Sequence, residues 1–465
     1  MMISGSFALL RHARERTKRL RAVLLPIASR RNVVKKILPV FLLLFVCALA
    51  GASRAQDRPA RATLLFAGDL MAHSPQLAVA RRKKGYDFAP SFAAVKPIVS
   101  AADLAVANFE TTLGGGRGGY TGYPCFSTPD EYAQAVKNAG FDVLTTANNH
   151  CMDRRFAGLE RTVKRLRELS FDTCGTYASS DDRERVLVRD ANGIRIAFLS
   201  WTYGTNGIPV AFDKKWSVAR LEAASEDMAR ARALSPDLVV ALPHIGTEYL
   251  LTPPRSVMSF VEKLLSWGAQ LVIASHPHVV QPLELRAPRS DDRSPAVVAW
   301  SMGNFISNQR PAPRDMGVIA RVTVEKSGDV TRVVSADVIP TWVQVRTAKG
   351  ARVSRVLPLL SALKNPAAFQ ISAADLKRLK QAHFDFTGRV LGKAVPLKNA
   401  RLAYALEASS EDRFSTAKFD ERALAAKKRA GLKAAESGKD GPGRVQKGKR
   451  GGRRSKRRPV RNIQS

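Results

Sequence analysis

AQLVIASHPH, Ala269 to His278, is the stretch that decides the fold class of this 465-residue chain. The apolar run has the length and branched content of a buried strand, and it ends on two imidazoles at i and i+2. The proline between them fixes the pair, so both rings are presented to one side. A soluble core has no use for two such groups so close together. Four other apolar runs end on acid-, amide- or imidazole-bearing patches: GDLMAH at Asp69, ANFE at Glu110, ANNH at His150 and ALPH at His244. Strands are expected over 63–69, 102–110, 141–150, 194–202, 237–244, 269–275 and 296–305. Helices are expected over about 88–101, 131–140, 154–170, 217–234 and 257–268. Short apolar runs alternating with amphipathic stretches predict an α/β domain. In such domains ligands gather beyond the carboxyl ends of the strands, where all five patches lie.

Asp69, Glu110, Asn149, His150, His244, His276 and His278 are hard or borderline ligands with no thiolate among them. The set suits divalent manganese, iron, zinc or magnesium, and imidazole tilts it toward the transition metals. Two such ions roughly 3.5–4 Å apart would supply a nucleophile and a clamp for a phosphoryl oxygen. Taken singly, most of these residues have a structural explanation. Asp69 after Gly68 can cap a turn, Asn148-Asn149 can form one, and His244 can be a hydrogen-bonded core histidine. Taken together they favour a metal site, because His150, His244, His276 and His278 all terminate strand-like runs. His73 lies four residues beyond Asp69, and His383 falls in a helical C-terminal stretch.

Secondary candidates are Glu248, as an acceptor orienting a ligating histidine or as a surface acid, and Asn304, facing the site or forming a turn. Cys151 adjoins His150 and reads best as a small buried side chain. Arg117, in the glycine-rich loop 114–124, could contact an anionic substrate; the loop lacks the Lys-Ser/Thr of a phosphate-binding loop. Outside the segment around Cys47 the cysteines are Cys125, Cys151 and Cys174, which leave room for one bridge and show no CxxC spacing.

The formal net charge is +35 and is concentrated at the ends. Residues 1–36 carry ten Lys/Arg against one acid, and residues 427–465 carry fifteen against two. An apolar run, ILPVFLLLFVCALA (37–50), follows the first basic segment and is short for a membrane span. Ser53-Arg54-Ala55 offers a cleavage site, and SRRNVVK (29–35) resembles a twin-arginine signal. Residues 1–55 are therefore expected to be an export signal or an uncleaved signal anchor, placing the chain in the periplasm or cell envelope. Residues 347–436 are expected to be a helical C-terminal region, with Ser372 capping a helix. The basic tail 437–465 is expected to be disordered, on an anionic membrane or polymer. It lacks interleaved aromatics, so nucleic-acid stacking is not supported.

AGDLMAHSPQ, ANFETTLGG, LTTANNHCMD, PHIGTEY, ASHPHVVQPLE and SMGNFI resemble, in this order, the successive motifs of the CapA family of capsule-synthesis and poly-γ-glutamate biosynthesis proteins. That family is similar to the calcineurin-like metallophosphoesterases. The resemblance implies a four-layer αββα sandwich over residues 62–346 with a binuclear metal site. It implies Asp69, bridging Glu110, Asn149, His244, His276 and His278 as ligands, and His150 as general acid or transition-state stabiliser. Two positions depart from the phosphoesterase pattern: Met71 stands where a histidine is expected, and Asn108-x-Glu110 replaces Gly-Asp. The expected substrate or partner is an anionic envelope polymer such as poly-γ-glutamate, or a phosphoester. Two readings follow, a metal-dependent hydrolase and a polymer-binding assembly factor that turns nothing over.

Overall fold

The computed structural model describes residues 59–116, 118–286, 294–348, 351–392, 403–405 and 408–409. The chain divides into two units, Met1–Ser409 and Ser410–Ser465, and every described residue belongs to the first. The expected export segment, Arg117 and the basic tail lie outside the described residues. No helix among the described residues is long and apolar enough to cross a membrane.

The strands form two sheets. The first contains β1 (Ala60–Leu70), β2 (Leu104–Phe109), β3 (Val143–Thr145) and β4 (Asp172–Cys174), all paired in parallel. The second contains β5 (Leu187–Ala191), β6 (Ile194–Thr202), β7 (Leu238–His244), β8 (Leu271–Ile273), β9 (Leu283–Arg286) and β10 (Ala296–Ala299). Here β6, β7, β8 and β10 run parallel, with β5 and β9 antiparallel beside them. The chain then returns to the first sheet as β11 (Asn304–Ile306), β12 (Met316–Ser327), β13 (Val330–Ala348) and β14 (Ala351–Pro358). Two short strands, β15 (Tyr404–Ala405) and β16 (Ala408–Ser409), add to β13 and β9.

The alternation of side chains along each strand explains the layers. In β6, Ile194, Ile196 and Phe198 join the core between the sheets, while Ala197, Leu199 and Trp201 face the opposite way. There they meet α7 (Ala224–Ala233) and α8 (Arg255–Ser266) through Met228, Val261 and Leu264. In β1, Leu64 and Phe66 point inward. Leu65 and Ala67 point outward, to α1 (Ser74–Ala80), α2 (Ala89–Phe92), α3 (Lys96–Val99) and α4 (Asp130–Asn138). Strands buried on both faces read as continuous apolar runs, which is how these appear in the sequence. The result is helix, sheet, sheet, helix. The helices α5 (Arg155–Glu168) and α6 (Ser180–Glu184) follow β3 and β4.

The structure differs from the sequence expectation in five places, the first being 88–101, which forms two short helices, α2 and α3, in place of one. The run 296–305 is not one strand; it is β10 in the second sheet and the start of β11 in the first, with the chain crossing between them at Ser301-Met302-Gly303. Of 141–150 only Val143–Thr145 is strand, and the rest turns. The expected helix at 217–234 begins as two short 3-10 turns before α7. Beyond residue 346 the chain is still extended as β14, and becomes helical at α9 (Leu359–Lys364) and α10 (Ala373–Arg389). Ser372 caps α10 as expected, its Oγ accepting from the Asp375 N–H at 3.1 Å. Cys125, Cys151 and Cys174 are free thiols.

Candidate metal centre

The acids arrive on the first sheet. Asp69 lies near the end of β1, between Asn108 of β2 and Asn304 of β11. Gly68 makes this possible: a Cβ there would sit 1.9 Å from the Gly303 carbonyl oxygen, the group that accepts the Asp69 N–H. Glu110 follows β2 immediately, and both carboxylates are fully buried. Asn108 joins them, its Nδ2 donating to Asp69 Oδ1 at 2.8 Å and to Glu110 Oε2 at 3.0 Å. The Asn108 amide is itself held by Asn148, whose Nδ2 donates to Asn108 Oδ1 at 3.2 Å.

The imidazoles arrive on the second sheet. His244 ends β7, and His276 and His278 follow β8 with φ of 105° and 57°, left-handed conformations uncommon outside glycine. His278 Nδ1 lies 3.0 Å from Asp69 Oδ2, and its Nε2 lies 3.5 Å from Glu110 Oε1. His244 Nδ1 is 2.9 Å from Ser275 Oγ, and its Nε2 is 2.7 Å from Asn149 Oδ1 and 3.7 Å from Glu110 Oε1. The His276 ring packs on Tyr203 and on His244, with centroids 4.5 and 4.9 Å away. All the expected ligands therefore converge. Asp69, Glu110 and His278 each bring a ligand atom within 4.8 Å of the others, and so do Glu248, His276 and His278.

The electrostatics of this cluster call for a cation. Burial, and then the charge of Asp69, hold the Glu110 carboxyl well above its ordinary range. Burial and the neighbouring His276 and His278 push His244 well below the usual imidazole value. Burial and His278 push His276 down to about 3. Neutral imidazoles offer lone pairs, which is the state a metal requires. Glu110 Oε1 and His276 Nδ1 are buried with no hydrogen-bond partner among the described residues. Donor atoms about 2.1 Å from one tetrahedral ion stand roughly 3.4 Å from each other. The gaps of 3.5 and 3.7 Å around Glu110 Oε1 are close to that spacing, and neither contact is a hydrogen bond. The residues fit a divalent cation.

His150 lies in the turn after β3. Its Nδ1 is 2.8 Å from Asp153 Oδ2, its ring sits edge-on to Phe126 at 4.7 Å, and Asn206 Nδ2 lies 3.5 Å from Nε2. Asn206 also accepts from Asn149 Nδ2 at 3.1 Å, linking the histidine to the ligand set. Asn108, Asp153, Asn206 and Ser275 belong to the site and were not among the sequence candidates. Asn304 binds the His278 carbonyl through Nδ2 at 3.2 Å and so supports the histidine loop. Cys151 is buried, and burial pushes its thiol up to about 12. Met71 is buried, with its carbonyl accepting from Gln76 and Tyr132. His73 packs on Phe126, and its Nδ1 accepts from the Asn308 N–H at 3.3 Å.

The family model for the bacterial capsule synthesis protein PGA_cap matches residues 63–309. Capsule biosynthesis protein CapA of Bacillus anthracis is 28% identical over 191 residues, 39% of this chain and 44% of that protein. PGA biosynthesis protein CapA of Bacillus subtilis (strain 168) is 28% identical over 257 residues, 52% of this chain and 63% of that protein. The chain thus spans less than two thirds of the length of either relative. Among solved structures, Haemophilus influenzae NAD nucleotidase superposes with a TM-score of 0.40 at 12% identity, covering 81% of this chain and 68% of that one. The calcineurin-like phosphoesterase YfkN from Bacillus subtilis superposes with a TM-score of 0.35 at 13% identity, covering 70% and 100%.

Proposed function

This chain belongs to the PGA_cap family of bacterial capsule synthesis proteins, and from that membership and the geometry of the site we propose that it is an exported envelope protein with a metal-dependent, phosphoesterase-like hydrolytic centre. One observation carries the reading. Glu110 Oε1 is a buried carboxylate oxygen without a hydrogen-bond partner, facing two imidazole nitrogens at 3.5 and 3.7 Å. Nothing in an apolar core compensates such an arrangement; a divalent cation does.

In this reading Asp69, Glu110, Asn149, His244, His276 and His278 would hold the divalent metal. Bound, the metal supplies Lewis acidity toward a phosphoryl oxygen and a nucleophile at neutral pH. The chain supplies the rest. Asn108 donates to both carboxylates and so fixes how they are turned, a role whose loss weakens metal affinity without removing a ligand. Asp153 accepts the His150 Nδ1–H, which fixes the tautomer and leaves Nε2 to hold or release a proton at the leaving group. Asn206 spans His150 and Asn149, tying the proton-transfer residue to the ligand shell. The substrate would be an anionic envelope polymer such as poly-γ-glutamate, or a phosphoester linked to its assembly.

A second reading keeps the fold and drops the turnover. Met71, two residues past Asp69, is buried and offers no imidazole to the inner cluster of Asp69, Glu110 and His278. The chain would then bind polymer as an assembly factor. The test is hydrolysis of bis-p-nitrophenyl phosphate by the full chain loaded with Mn(II), beside His278→Ala. Turnover lost in the variant supports the hydrolase. Equal turnover in both rejects it, and metal binding without any turnover favours the assembly factor.

A further inference from the structure

The inner triad of Asp69, Glu110 and His278 is wholly buried, but a second triad, Glu248 with His276 and His278, reaches the surface through Glu248. Glu248 sits in the loop that leaves β7, and that loop is laced to the histidine loop by backbone hydrogen bonds. The Ile245 N–H donates to the Ser275 carbonyl at 3.0 Å, and the Tyr249 N–H donates to the Pro277 carbonyl at 2.8 Å. Gln281 Nε2 closes the lacing by donating to the Leu250 carbonyl at 2.8 Å. The loop reaches this position only through left-handed turns at Gly246 (φ 134°) and Tyr249 (φ 68°). A Cβ at Gly246 would come within 3.0 Å of the Pro277 ring. The lacing places the carboxylate of Glu248 against two buried imidazoles. One of them, His276, is 3% exposed and has a ring nitrogen with no hydrogen-bond partner among the described residues.

We propose that Glu248 is a metal ligand which, with His276 and the edge of His278, builds an outer cation subsite at the mouth of the centre. The inference rests on the reading of Asp69, Glu110 and His278 as the inner site. The chemistry sets the order of affinity. The inner subsite has two buried carboxylates and an imidazole. The outer has one exposed carboxylate, and it competes with the inner subsite for His278, which is common to both triads. Fewer charged donors and greater solvent access make the outer ion the weaker and more readily exchanged of the two. The outer ion, facing solvent, is the one an anionic substrate meets first.

The experiment is calorimetric titration of Mn(II) into the metal-free full chain, wild type beside Glu248→Gln. The variant keeps the shape of the side chain and removes its charge at an exposed position, and its inner-site affinity serves as the control for folding. Wild type is expected to show two unequal binding events. Glu248→Gln is expected to keep the tighter one and weaken the other by more than about 100-fold, beyond the 10–100-fold that loss of a merely orienting partner costs. A smaller change in the weaker event, or a single event in wild type that the substitution leaves alone, would overturn this inference and leave the inner site standing. No binding by wild type would overturn both.

Discussion

The two sheets bring chemically opposite halves to the same place. The first contributes buried carboxylates, Asp69 at the end of β1 and Glu110 after β2. The second contributes buried imidazoles, His244 at the end of β7 and His276 and His278 after β8. Neither half is tolerable alone. Two adjacent buried carboxylates repel, and burial disfavours the charged form of His244 and His276. The close approaches cross from one sheet to the other, Asp69 to His278 and Glu110 to both His278 and His244. The site is therefore a product of sheet packing. The inter-sheet core of Phe66, Val106, Phe198, Val240 and Leu271 sets the distance across which a cation can be shared.

Removing a charge from the acidic half should have the largest effect. Glu110→Gln is expected to abolish retention of metal and to cut turnover by about 10⁴-fold, ~5.5 kcal/mol of lost charge stabilisation. Elemental mass spectrometry and phosphodiester kinetics check both. Removing a group that belongs to neither half should separate chemistry from binding. His150→Ala is expected to lower turnover by on the order of 10²–10³-fold while metal content stays at the wild-type level. Loss of metal in that variant would make His150 part of the ligand shell.

Loosening the acidic half without removing a ligand should cost less. Asn108→Ala is expected to weaken metal affinity by roughly 10–100-fold, read by competition with a chromophoric chelator. The smallest effect distinguishes the halves by sign. In the metal-free protein His276 and His73 are held at about 3 and about 4, below the ordinary imidazole value of 6.5. As pH falls from 6.5 toward 4 the unfolded chain takes up protons that these folded imidazoles refuse, so stability drops. Glu110 acts in the opposite direction. Its raised folded pKa makes the fold bind a proton more readily than the unfolded chain, a contribution present in acid and lost as pH rises through that raised value. Thermal melts in chelator are therefore expected to fall more steeply with acid in Glu110→Gln than in wild type. Parallel profiles would contradict the assignment.

The ends of strands were legible because buried parallel strands are written as apolar runs, and a polar side chain stands out where such a run stops. That placed Asp69, Glu110, His244, His276 and His278. The crossing at Ser301-Met302-Gly303 was hidden because both flanking strands are apolar, and periodicity does not record a change of sheet. β14 was hidden because ARVSRVLP (351–358) breaks its apolar residues with Arg352, Ser354 and Arg355 and so shows no continuous apolar run. Asn108 lies at i−2 from Glu110, the spacing that puts two strand residues on one face, and Asp153 lies three residues past His150. Both positions carry a local signal in the sequence. Asn206 had none. It reaches His150 across 56 residues of chain, and only the packing of its loop brings it there.

The central claim is that a cation belongs between the two sheets at Glu110. Anomalous diffraction from crystals of the protein grown with Mn(II) or Zn(II) tests it directly. The expected result is a peak about 2.0–2.2 Å from Glu110 Oε1 with an imidazole nitrogen of His278 or His244 in the same coordination sphere. A metal-loaded crystal with no peak there, and the direct contact between His244 Nε2 and Asn149 Oδ1 intact, would contradict it.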